Sequence, residues 1–195
     1  MSESTCCLKT FQWDGTPTGH VGKLATNNAY ITGTNPNVAI LIVHDMLGWS
    51  FPNVRLLADH YATEANATVY VPDFFGGEVL PFEPLIAGRF AECARELRAK
   101  YGFTAAVGFC YGGWAVFRLA AASRLDNDRD RKPLVDCIAA AHPSMLTESD
   151  IDGVVVPTQI LAPEIDPIFT PELKRYTFDS LSRRGVEHAC MTRGI

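Results

Sequence analysis

The 195-residue sequence predicts a doubly wound, mostly parallel α/β sheet, and three features of its pattern predict it. Short, continuously apolar runs recur along the chain. Each is followed by a stretch with helical periodicity, and the residues that close the runs are chemically reactive. A continuous apolar run suits a strand covered on both faces, and strands alternating with helices form sheets whose ligands bind at the C-terminal strand ends.

Val38-Ala39-Ile40-Leu41-Ile42-Val43 is the clearest strand. Pro52 then starts a helix over Asn53 to Asn66, in which Val54, Leu57, Ala58, Tyr61, Ala62 and Ala65 form one stripe. Thr68 to Val71 reads as the next strand. A Gly/Pro-rich loop from Asp73 to Pro84 leads to a helix with Phe90, Cys93, Ala94, Leu97 and Tyr101 on one side. Ala105-Ala106-Val107 belongs to a strand before Cys110, and the stretch from Trp114 to Ala120 to a helix after it. Asp126 to Lys132 is a charged surface loop, Val135 to Ala141 and Val154 to Leu161 are buried strands, and Thr170-Pro171 opens a further helix. One domain accounts for residues 1–195, with an irregular N-terminal segment over 1–20.

A formal charge of −5 and the lack of a clustered basic stripe argue against nucleic acid or an anionic membrane as partner, and for a small molecule. Met1 to His20 has no apolar signal-peptide core, and the Val38–Val43 run is far too short to span a bilayer, so a cytoplasmic location is expected. The cysteines at 6, 7, 93, 110, 137 and 190 form no CxxC and no zinc spacing. Reduced thiols follow, with no metal.

Gly108-Phe109-Cys110-Tyr111-Gly112 carries the chemistry. Strand, sharp turn and helix in this order form a nucleophile elbow, with a thiol as the attacking group. The flanking glycines let the chain bend tightly around a strained cysteine. A helix N-terminus beside the sulfur favours the thiolate and a neighbouring oxyanion. A buried structural cysteine is the alternative. The other strand ends are also chemically loaded: His44-Asp45, Asp73, His142 and Glu164 to Asp166. Asp166 is either the acid of a triad or part of the cap of the helix opening at Thr170.

The chain resembles the dienelactone hydrolase family of α/β-hydrolases, particularly its fungal-type members, from about Ala29 to Gly194. The residues that carry the likeness are Val43 to Gly48, Pro72 to Gly77, Gly108 to Gly113, Ala141 to Ser144, Glu164 to Pro167 and Gly185 to His188. The resemblance implies Cys110 as nucleophile, Asp166 as acid and His188 as base, in the chain order of this fold. It implies oxyanion donors in the backbone N–H groups of Met46 and Tyr111, and a carboxylate, Asp45, against the resting cysteine. The implied reaction is opening of a small lactone or activated ester through a thioester, without a cofactor.

The chain departs from the family in three places. Phe74-Phe75-Gly76-Gly77 offers no arginine for a substrate carboxylate, and Arg193 serves that part only loosely. The segment between Gly77 and Leu85 is short, which trims the cap. A helix from Pro171 to Ser182 carries the chain roughly 18 Å from the active-site edge at about 1.5 Å per residue. The five or six residues that follow reach at most roughly 17–21 Å. Either the helix ends early, or the segment runs straight back, or His188 does not meet Cys110. A trimmed C-terminal region also leaves apolar surface and suggests self-association. Trp49, Phe74 and Phe75 line either a pocket or the core. His142 is either structural or a substitute base. Two rival functions stay open: a non-catalytic family member that binds a partner, and a redox-sensitive thiol.

Overall fold

The computed structural model describes residues 11–76, 85–121 and 133–193. The expected loop over 126–132, the trimmed segment over 77–84, Cys6 and Cys7 lie outside the described residues. The elements, in chain order, are β1 (His20–Leu24), β2 (Asn27–Thr32), β3 (Val38–Val43), α1 (Pro52–Glu64), β4 (Thr68–Pro72), α2 (Leu85–Lys100), β5 (Phe103–Phe109), α3 (Tyr111–Leu119), β6 (Cys137–Ala141), α4 (Glu148–Gly153), β7 (Thr158–Pro163), α5 (Pro171–Arg183) and β8 (His188–Arg193).

The strands form one sheet in the order β1-β2-β4-β3-β5-β6-β7-β8. β1 and β2 pair antiparallel, and β2 joins β4 antiparallel. Every pairing from β4 through β3 to β8 is parallel. Reactive residues that end the parallel strands therefore come to one edge, as expected for this architecture.

Several boundaries differ from the sequence pattern. The β1–β2 hairpin was not foreseen, because its strands mix Asn, Thr and Lys with apolar residues. β6 starts at Cys137, since the Asp136 carboxylate beside it accepts the Thr104 N–H at 2.8 Å and pairs with Arg98 at 2.8 Å. β7 starts at Thr158. Val154 forms an antiparallel bridge with Ala121, and Val155 N–H donates to Ala120, so the apolar run is split before Pro157. α4 is a short helix opened by a capping box between Thr147 and Asp150.

β8 is the largest correction. The sequence pattern showed no strand after the helix opening at Thr170, and one is present. Gly185, at φ +68°, turns the chain at the foot of α5, and residues 188–193 climb back beside β7.

Two packed layers cover the sheet. Phe74, Phe90, Leu97, Phe117, Ile160 and Phe169 belong to the layer that includes α2, α3 and α5. Ile40, Ile42, Val69, Val71 and Val107 pack under α1 around Ala58. Glycines allow the tightest approach between layers. A Cβ on Gly112 would lie 2.0 Å from the Val43 carbonyl oxygen, and one on Gly113 would lie 2.8 Å from Pro143. Gly112→Ala is therefore expected to lower stability by about 3 kcal/mol or more, because backbone and not a flexible side chain must yield. Urea unfolding of the variant measures it, and an unchanged midpoint would contradict the packing described.

Candidate active site

Cys110 stands between β5 and α3 with φ 54° and ψ −113°, a conformation that L-residues adopt only under constraint. The constraint is visible on every side. The Cys110 N–H donates to the Ala141 carbonyl at 3.0 Å, and the Cys110 carbonyl accepts from Gly113 and Ser144, each at 3.0 Å. A Cβ on Gly108 would lie 2.1 Å from the Gly112 carbonyl oxygen. The elbow expected from the glycine spacing is thus formed. Its sulfur lies 3.7 Å from the hydroxyl of buried Ser144. Ser144 belongs to the Ala141 to Ser144 stretch that carries the family likeness, but nothing in the sequence assigned it a role at the sulfur.

Tyr111 is the first residue of α3, where a backbone N–H has no partner within the helix. Met46 lies in the loop after β3. That loop is pinned by Asp45, whose Oδ1 accepts the Leu47 N–H at 2.8 Å and whose carbonyl accepts the Gly48 N–H at 3.2 Å. The Asp45 carboxylate, expected from the resemblance beside the resting cysteine, holds this loop.

Asp166 follows β7 by a short loop. Its Oδ1 accepts the N–H groups of Ile168 at 2.9 Å and Phe169 at 3.0 Å, just before Thr170 caps α5. It stands at the active-site edge, and one of its oxygens serves the loop.

His188 is not at that edge. It opens β8 opposite Thr158, the first residue of β7, whereas Met191 stands level, through Leu161 and Ala141, with Phe109 before the cysteine. Three residues along the strand and three strands across amount to about 10 Å by about 14 Å, roughly 17 Å in all. The His188 ring instead ties β8 to α5: Nδ1 donates to the Val186 carbonyl at 2.7 Å, Nε2 meets the Ser182 hydroxyl at 3.3 Å, and the ring packs edge-on against Phe178. His188 thus lies away from Cys110, one of the three outcomes that the reach of the chain left open. The cause is β8 itself, which begins at His188, so that residue stands at the far end of the strand from the active-site edge.

His142 is the histidine at the right edge. It follows β6, one strand from Cys110, with φ 38° and its N–H on the Leu161 carbonyl at 2.9 Å. It lines a pocket of about 380 Å³ beside the elbow, together with Asp45, Leu47, Phe51, Phe109 and residues of α1. Of the aromatic residues proposed for a pocket, Phe74 (0% exposed) and Phe75 (5% exposed) are core instead. They pack on Phe90 and His44. Trp49 stacks under the Arg55 guanidinium at 4.8 Å and is not among the lining residues. Arg193 ends β8 opposite Pro163, at the active-site edge.

Buried His44 shares this end of β3. Its Nδ1 donates to the Asp45 carbonyl at 2.8 Å and its ring meets Phe75 edge-on. Burial pushes its pKa below the ordinary histidine value, against the opposing pull of the Asp45 carbonyl and the Asp45 and Asp73 charges. Cys93 is the contrasting thiol. Burial raises it to about 12 despite the Asn27 amide 3.3 Å from its sulfur.

Among the described residues, no group of His, Cys, Asp and Glu is arranged to hold a metal ion, and no helix is long and apolar enough to cross a membrane.

The mostly parallel sheet, the elbow and the loop after β7 form the architecture of an α/β-hydrolase fold. No family model matches the chain. It is 26% identical over 214 residues to the hydrolase tropI of Talaromyces stipitatus, covering 95% of this chain and 80% of that protein. It is 27% identical over 198 residues to Dienlactone hydrolase 1 of Gibberella moniliformis, covering 87% and 72%. The crystal structure of a dienelactone hydrolase from Anabaena variabilis superposes with a TM-score of 0.64 at 16% identity, over 91% of this chain and 84% of that one.

The His44 environment sets a pH dependence. A histidine held neutral in the fold becomes protonated in the unfolded chain below about pH 6.5, so its stabilising share is present above that pH and lost below it. The melting temperature is expected to fall between pH 7.5 and 5.5, and to fall less in His44→Gln. Equal slopes in the two proteins, read by circular dichroism, would contradict the assignment.

Proposed function

We propose that the protein is a cysteine-nucleophile hydrolase of carboxylic esters or lactones. The observation that carries this is the strained Cys110 at the N-terminus of α3, at the same sheet edge as Asp45, His142 and Asp166. Likeness to dienelactone hydrolases supports the same reaction class.

In this mechanism His142 takes the thiol proton and the Cys110 sulfur attacks the carbonyl carbon. The resulting oxyanion accepts hydrogen bonds from the Met46 and Tyr111 N–H groups. The C–O bond breaks, the alcohol leaves with the proton held by His142, and a thioester remains. Water, deprotonated by His142, then attacks the thioester; the C–S bond breaks and the thiol is restored. Asp166, in the loop after the neighbouring strand, supplies the negative charge that favours the protonated imidazole. A stable leaving group, as in an aryl ester or enol lactone, suits a thiolate nucleophile.

The position of His188 favours one other reading, a non-catalytic thiol protein that retains the fold and its pocket. Kinetics on p-nitrophenyl acetate separate the two. Cys110→Ala is expected to lower kcat/KM about 10³-fold or more, and His142→Ala to lower kcat about 10²-fold or more, while His188→Ala stays within about twofold. Full activity in Cys110→Ala would overturn the nucleophile. A large loss in His188→Ala with no loss in His142→Ala would overturn the base. No turnover by the wild type would favour the binding protein.

A further inference from the structure

The pocket beside the elbow has a wall that no part of the hydrolase reaction requires. Phe11 and Trp13 close it from the N-terminal side, facing Phe51, Val54 and Leu57 around the start of α1. Asn53 fastens this strap. Its Nδ2 donates to the Phe11 carbonyl at 2.9 Å, and its Oδ1 accepts the Trp13 N–H at 2.9 Å. Further along, the Thr18 N–H donates to Asp59 at 2.8 Å, and Asp59 also accepts the Tyr30 hydroxyl at 2.7 Å. The Asn53 amide is thereby occupied by the strap. Among the described residues the lining holds one carboxylate, Asp45, and one histidine, His142, with no lysine or arginine.

We infer that this pocket receives the apolar part of an uncharged ester, that the strap from Phe11 to Thr18 determines its specificity, and that Asp45 disfavours substrates carrying a free carboxylate. The inference rests on the esterase reading and deepens it, by naming the substrate class. The volume of about 380 Å³ accommodates an aryl or short alkyl group, and its aromatic and aliphatic walls gain from removing such a group from water. A carboxylate placed beside the Asp45 carboxylate meets like charge at short range, and the described lining offers no lysine or arginine to pair with it. Asn53 is a positioning residue: its amide is spent on holding the wall.

The experiment is equilibrium binding of ethyl phenylacetate and of phenylacetate to Cys110→Ala protein by calorimetry, where no turnover intervenes. The ester is expected to bind about tenfold more tightly than the acid. Adding Trp13→Ala or Asn53→Ala is expected to weaken the ester about tenfold, and adding Asp45→Asn to bring the acid toward the ester. Val54→Trp, which fills the pocket from a half-buried helix position, is expected to abolish ester binding. Acid binding as tight as the ester's, or ester affinity unmoved in both strap variants and in Val54→Trp, would overturn the proposal. Failure of the esterase reading shows separately, as absent turnover in the wild type with ester binding intact.

Discussion

The site depends on one backbone constraint: the turn that holds Cys110 in a left-handed conformation between β5 and α3. The conformation is unfavourable for a residue with a Cβ, at a cost on the order of 1–3 kcal/mol, and persists because its surroundings leave the chain no other path. Gly108 and Gly112 are so close that neither tolerates a Cβ, and Gly112 is pressed on the Val43 carbonyl. The neighbouring strand and the loop after it then hold the cysteine's N–H and carbonyl through Ala141 and Ser144. Strain is concentrated at one residue, and its result is a sulfur carried forward onto the first turn of a helix.

The remaining site residues inherit their places from strand order. β3 and β6 flank β5, so whatever follows them must stand beside the cysteine: Asp45 and Met46 on one side, His142 and Ser144 on the other. β7 brings Asp166 one strand further. The same logic excludes His188, which begins its strand instead of ending it. The pocket arises from a second source. α1 leaves the stripe of Phe51, Val54 and Leu57 half-buried, and the N-terminal segment folds across it.

The central strands were legible because each is a run of apolar, often β-branched residues that only a doubly covered sheet accommodates. The elbow was legible because glycine spacing reports backbone geometry directly. The β1–β2 hairpin was not, since edge strands mix polar with apolar residues and lose the signal. β8 was hidden for the same reason: His188-Ala189-Cys190-Met191-Thr192-Arg193 is an edge strand with exposed members, and nothing in it resembles the Val38–Val43 run. Reach along the chain still exposed the problem, because a helix of that length left almost nothing for a turn on the way back to the edge. The strap was illegible, as its contacts span about forty residues of sequence, from Trp13 to Asn53 and from Thr18 to Asp59.

The central claim is that Cys110 is an activated thiol served by a histidine at its own sheet edge. The most direct measurement is the rate of Cys110 alkylation by iodoacetamide against pH, with the modified residue located by mass spectrometry, in the wild type and in His142→Ala. The account predicts a midpoint below the value of about 8.5 for a free thiol, rising when His142 is removed. A wild-type midpoint at the free-thiol value, unchanged in His142→Ala, would contradict it.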